Sequence, residues 1–214
     1  MSKITTILFD FDGTIMNTND VVIKSWQHTF RTVEGKERPV EWIARTFGEP
    51  LYATMARALP QVTVEEGVEI YRSFMREHYT GMIYPFPGMT DLIRKLKEQG
   101  YKTGLVTSRV GDTAVQGLEQ FELLPHMDCL VTCDDTDKHK PDPEPVQIAL
   151  RKLSSDPAEA IMLGDTMFDI LCARNAGVRS VLVGWQMAVS EEEIQGPDGP
   201  DFLIEKPEDL FSLL

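Results

Sequence analysis

Ile4-Thr5-Thr6-Ile7-Leu8-Phe9-Asp10-Phe11-Asp12-Gly13-Thr14 decides how the rest of the chain is read. Ile4 to Phe9 is a short apolar and β-branched run without strict polar alternation, so it reads as a strand buried on both faces. It ends at two carboxylates, Asp10 and Asp12, followed by Gly13, which lets the backbone turn sharply as it leaves a sheet. Comparable runs recur at Thr103–Thr107, Cys129–Thr132, Ala160–Gly164 and Val181–Gly184, with a shorter one at Phe202–Ile204 before a terminal helix. Between them, residues 88–99 place Met89, Leu92, Ile93 and Leu96 on one helical face, and 111–121, 143–153 and 166–176 also read as helices. Strands alternating with helices of this length predict an α/β fold with a Rossmann-like parallel-sheet core.

Residues 16–84 break that rhythm. Helical stretches fall at 20–32, 51–58 and 64–79 with no convincing strand, and Tyr84-Pro85-Phe86-Pro87-Gly88 closes the block as a hinge. The expected organisation is a catalytic core from 1–15 and 85–214 with a small inserted all-helical cap domain at 16–84.

At 214 residues and 42% hydrophobic content the chain can bury one full core with a small second domain. Its net charge of -13 repels nucleic acid and anionic membrane surfaces, so neither is an expected partner. An anionic substrate would be repelled too, and needs a metal, a lysine or helix N-termini close by. Cys129, Cys133 and Cys172 show no metal-type or paired spacing, which predicts reduced thiols in the cytoplasm. The first residues, Met1-Ser2-Lys3-Ile4, carry no apolar signal region. No leftover apolar helix asks for a partner, so a monomer is expected. Trp26, Trp42 and Trp185 are expected to pack in cores.

In an open parallel sheet ligands gather beyond the carboxyl ends of the strands. Asp10 and Asp12 at such an end suit a division of labour, one attacking and the other moving a proton. Taken alone, the pair also fits a solvated acidic turn. Gly164-Asp165 ends another apolar run, with Asp169 four residues on. That spacing puts two side chains on one face of a helix, where Asp165 and Asp10 would share a hard cation such as magnesium; an N-cap aspartate beside an unrelated surface acid is the competing reading. Thr107-Ser108-Arg109 leads from a strand into a helix, where a hydroxyl and free amides cradle a phosphate or simply cap the helix. Lys140-Pro141-Asp142-Pro143 offers a positive charge to a phosphate and to Asp10. Together these groups are what phosphoryl transfer requires.

In this order the motifs resemble the haloacid dehalogenase superfamily: Asp10-Phe11-Asp12-Gly13-Thr14, Thr107-Ser108, Lys140-Pro141-Asp142-Pro143, and Gly164-Asp165 with Asp169. The helical insertion is similar to the small cap of its phosphoglycolate phosphatase and β-phosphoglucomutase branch. Thr18-Asn19, His28-Thr29, Val131-Thr132-Cys133-Asp134-Asp135, the stretch from Lys140 to Gln147, and Val183-Gly184-Trp185 are further similar to a bacterial pyrophosphatase group within it, linked to dephosphorylation of phospho-HPr.

The resemblance implies a magnesium-dependent phosphohydrolase acting through an aspartyl-phosphate on a small phosphate monoester or pyrophosphate. It implies Asp10 as nucleophile, Asp12 as proton-transfer partner, Thr107 and the Ser108 amide on the transferring phosphoryl group, and Lys140 balancing charge. It implies Asp10, the Asp12 carbonyl and Asp165 as magnesium ligands, with Asp169 behind them. A β-phosphoglucomutase-type phosphotransferase is the alternative, disfavoured because Thr46-Phe47-Gly48-Glu49-Pro50-Leu51 lacks a basic specificity loop; Gly48 and Glu49 are then the cap residues expected to face substrate, or else a plain interhelical turn. Asn17 stands where many relatives carry Asp. A non-catalytic binding protein would require loss of Asp10, Asp12, Lys140 or Asp165, and all four are present.

Overall fold

The computed structural model describes residues 3–214. The chain runs β1 (Thr6–Phe9) and β2 (Met16–Asn17), then four helices, α1 (Asn19–Glu34), α2 (Val40–Ala44), α3 (Leu51–Ala58) and α4 (Val64–Met82). It continues through β3 (Tyr84–Pro85), α5 (Met89–Glu98), β4 (Lys102–Val106), α6 (Gly111–Gln120), β5 (Cys129–Val131), α7 (Glu144–Leu153) and β6 (Ala160–Gly164). It finishes with α8 (Met167–Asn175), β7 (Arg179–Val183), α9 (Glu191–Gln195), β8 (Phe202–Ile204) and a 3-10 helix at Pro207–Leu213. The chain divides into two compact units, one of Met1–Asn17 with Pro85–Leu214 and the other of Thr18–Tyr84.

The first unit is built on a six-stranded sheet in the order β5-β4-β1-β6-β7-β8, every neighbouring pair parallel. This is the Rossmann strand order, and its direction of winding reverses between β1 and β6. Period-two alternation sends Ile7 and Phe9 into one hydrophobic layer with Met89, Leu92, Ile93 and Leu96 of α5 and Leu118 of α6. Leu8 enters the opposite layer with Val146, Ala149, Leu150 and Leu153 of α7 and Cys172 and Ala173 of α8. Ile7, Leu8 and Phe9 are all fully buried, each stabilising the fold by about 1.5–3 kcal/mol. That two-sided burial is why the run carries no polar residue after Thr6.

The second unit is helical. Its core is Trp26, Phe30, Ile43, Met55, Leu59, Val68 and Tyr71, and α4 opens with a Thr63–Glu66 capping box. All three tryptophans pack: Trp26 stacks on Phe30 at 5.4 Å between ring centroids, Trp42 meets Phe30 edge-on at 5.6 Å, and Trp185 lies against Phe86 in the α/β unit.

Differences from the sequence reading are local. The strands expected to start at Thr103 and Val181 start at Lys102 and Arg179, because polar residues join the ladder where the strand enters from the surface. The short helices α2 and α9 were not expected, and the C-terminal helix is 3-10. Cys129, Cys133 and Cys172 are free thiols. Among the described residues no helix is long and apolar enough to cross a membrane.

Candidate active site

Register brings the chemistry together. Phe9 pairs with Leu105 of β4 on one side and Leu163 of β6 on the other. One step past Phe9 is Asp10; two steps past Leu105 and Leu163 are Thr107 and Asp165. All three leave the sheet at the same end, where its winding reverses.

The Lys140 ammonium is buried between two carboxylates, 2.6 Å from Asp10 Oδ1 and 2.5 Å from Asp169 Oδ1. Asp10, Asp165 and Asp169 are likewise buried, and an oxygen from each lies within 4.8 Å of the others. Burial pushes the Asp10 carboxyl up to about 7, against the pull of Lys140 and with further upward pushes from Asp169 and Asp12. Burial, and then Asp169 and Asp10, raise Asp165 well above the usual carboxylate range. For Lys140 burial works downward, but the Asp10 and Asp169 charges outweigh it and raise its pKa.

Three buried carboxylates therefore face one buried ammonium. A divalent cation held by oxygen donors fits that imbalance in charge and in ligand chemistry.

Asp165 and Asp169 do not share a helical face as the spacing had predicted. Asp165 precedes α8, Thr166 is its N-cap, and Asp169 is the third helical residue. Asp169 Oδ2 accepts from the Thr166 amide at 3.1 Å and hydroxyl at 2.7 Å, leaving Oδ1 for Lys140. The Thr166-x-x-Asp169 pattern is a capping box and was readable as one. Two glycines make the crowding possible. Gly13 has φ +75, and a Cβ there would collide with the Asp165 carboxylate; a Cβ on Gly164 would collide with Asp169.

Asp12 stands apart from that cluster in a half-exposed position. Arg109 grips it with both ends of its guanidinium, Nε to Oδ2 at 2.9 Å and Nη2 to Oδ1 at 2.6 Å. Nothing local in the sequence assigns Arg109 a role, because its partner lies 97 positions away.

Thr107 is buried, whereas Ser108 is exposed. Two amides of the expected phosphate cradle are used internally: the Arg109 N–H donates to Thr107 Oγ1 at 3.1 Å and the Gly111 N–H, at the start of α6, to Asp134 Oδ2 at 2.7 Å. Gly48 and Glu49 lie in the helical unit between α2 and α3. Gly48 has φ +81, and the Glu49 carboxylate accepts from the Thr54 hydroxyl at 2.7 Å and from Arg57 at 2.5 Å.

A Rossmann-ordered sheet ending in buried aspartates around one lysine describes a haloacid dehalogenase-like hydrolase. The family model of that description matches residues 7–183, and the chain belongs to this family. It is similar to the pyrophosphatase PpaX of Bacillus pumilus, with 37% identity over 213 residues covering 100% of this chain and 97% of that protein. It is also similar to the pyrophosphatase PpaX of Anoxybacillus flavithermus, 36% identical over 212 residues, covering 99% of this chain and 97% of that one. A solved haloacid dehalogenase-like family hydrolase from Streptococcus pneumoniae superposes with a TM-score of 0.87 at 25% identity, covering 100% of this chain and 99% of that one.

Proposed function

We propose that this protein is a magnesium-dependent phosphohydrolase that cleaves pyrophosphate or a small phosphate monoester through an aspartyl-phosphate on Asp10. The observation that carries this reading is the buried set of Asp10, Asp165 and Asp169 around Lys140 at the switch point of the sheet. The relatives named pyrophosphatase along the whole chain support pyrophosphate as the first substrate to test.

Asp10 attacks phosphorus, forming a P–O bond to its carboxylate as the bond to the leaving group breaks. Asp12 passes a proton to the leaving oxygen and later takes one from the water that hydrolyses the intermediate, returning Asp10 and free phosphate. Thr107 and the Ser108 amide hold the transferring group, and Lys140 offsets charge on it and on Asp10. Magnesium would be held by Asp10, the Asp12 carbonyl and Asp165, with Asp169 behind them, and supplies charge neutralisation at the phosphoryl oxygens. Residues 16–84 form the cap, where Gly48 and Glu49 are the proposed substrate-facing pair.

A phosphate-release assay with magnesium, comparing pyrophosphate, phosphoglycolate, sugar phosphates and nucleotides beside a chelator control, tests this. Metal-dependent release from pyrophosphate or one of the small esters is expected. Release that survives the chelator, or conversion of glucose 1-phosphate to glucose 6-phosphate without free phosphate, would overturn it.

A further inference from the structure

We infer that Arg109 is the receptor for an anionic leaving group, and that its pair with Asp12 is a resting contact which that leaving group displaces. This rests on the phosphohydrolase reading and narrows its substrates to those whose leaving group carries a second anionic centre, a phosphate or a carboxylate.

The pair is a fork on a two-oxygen edge, Nε to Oδ2 and Nη2 to Oδ1. A phosphate or carboxylate presents the same edge and can replace Asp12 one for one. While the fork is closed, both Asp12 oxygens are engaged. A proton-transfer group needs one of them turned to the leaving oxygen, so a resting Asp12 held this way is restrained until something else takes the guanidinium.

The surroundings favour exchange at the carboxylate side. The Arg109 side chain is 12% exposed against 35% for Asp12, so the open edge of the pair belongs to Asp12. The arginine itself is anchored. Its guanidinium carbon lies 5.5 Å from the centroid of the buried Phe11 ring. Its amide donates to Thr107 Oγ1, and its carbonyl accepts from the Cys133 amide at 3.1 Å. Its backbone is thus tied to the residue proposed to hold the transferring phosphoryl group, and its side chain to the residue proposed to serve the leaving group.

Charge leads to the same place. Lys140 already faces Asp10 and Asp169. A departing anion beside Asp12, on a chain of net charge -13, is helped by a cation close by, and Arg109 lies in contact with Asp12.

Calorimetric titration of the magnesium-saturated protein with two non-hydrolysable probes, methylenediphosphonate and methylphosphonate, tests the inference. Wild type, Arg109→Met and Arg109→Lys are compared, with thermal melts to verify folding. Arg109→Met is expected to weaken methylenediphosphonate by about 10- to 100-fold and methylphosphonate by less than about 3-fold. Arg109→Lys, which keeps the charge and loses the fork, should fall between. Equal weakening of both probes, or none, would overturn the inference and leave Arg109 a structural partner of Asp12. Phosphate release separates the two levels: a wild-type protein that cleaves pyrophosphate without probe discrimination refutes the fork alone. Discrimination without release from any phosphate compound refutes the hydrolase reading and keeps the fork.

Discussion

Two ion-pair sites lie at the same end of the sheet and differ in kind. Lys140 sits between Asp10 and Asp169 with every partner buried, while Arg109 and Asp12 meet where the carboxylate is still about a third exposed. Burial makes charge imbalance expensive, so three carboxylates against one ammonium are relieved either by protons, as the raised Asp10 and Asp165 carboxyls indicate, or by a bound cation. The second is a two-point fork that meets water mainly on its carboxylate side, so Asp12 can leave it for solvent while Arg109 stays in place. One site is built to be filled and the other to be opened, and substitutions at the two should separate accordingly.

The largest effect is expected at the buried site. Asp10→Asn should abolish phosphate release, by at least about 10⁴-fold, while the melting temperature holds or rises because one crowded negative charge is gone. Turnover within tenfold of wild type would remove Asp10 as the nucleophile. Lys140→Met leaves Asp10 and Asp169 without their ammonium and should destabilise the fold by about 3–5 kcal/mol in denaturant unfolding; a loss under about 1 kcal/mol would mean the cluster is wetter than its burial indicates.

Gly13→Ala places a side chain at φ +75 against the Asp165 carboxylate. We expect about 1–3 kcal/mol of destabilisation together with weaker magnesium binding. Stability loss with unchanged metal affinity would separate the turn from the site.

Acidity gives a gentler contrast. The Asp10 carboxyl is raised from 3.8 to about 7, and Asp165 moves the same way. The folded cluster holds more protons than the unfolded chain across that window, so its contribution to stability falls as pH rises through it. Magnesium binds the carboxylate form, so the rise in melting temperature it produces should grow as pH increases towards about 7. A gain that stays flat or shrinks would contradict the assignment. The smallest effect belongs to the open pair: Arg109→Met should cost only about 1 kcal/mol of stability, whatever it does to ligands.

The contrast also marks what a sequence can carry. β1 and the carboxylates ending it were legible because a strand buried on both faces excludes polar residues until it stops. The face of α5 was legible because Met89, Leu92, Ile93 and Leu96 recur at helical spacing and all four are buried. α2 and α9 span five residues each, too few to display a period.

At the site, Asp10 and Asp165 were found from strand ends, which are local signals. That Lys140 is buried was not legible, since its partners Asp10 and Asp169 lie 130 and 29 positions away. Asp169 was assigned by a spacing rule when the capping-box pattern with Thr166 held the better account. Arg109 was missed because an arginine after a strand has no meaning until its acid is located.

Magnesium titration of the wild-type protein and of Asp165→Asn, followed by calorimetry, is the most direct check on the central claim that carboxylates distant in sequence serve one divalent ion. The account predicts a single magnesium site per chain in the wild type and an affinity more than about 10-fold lower in the variant. Equal affinity in the two proteins, or no binding by the wild type, would contradict it.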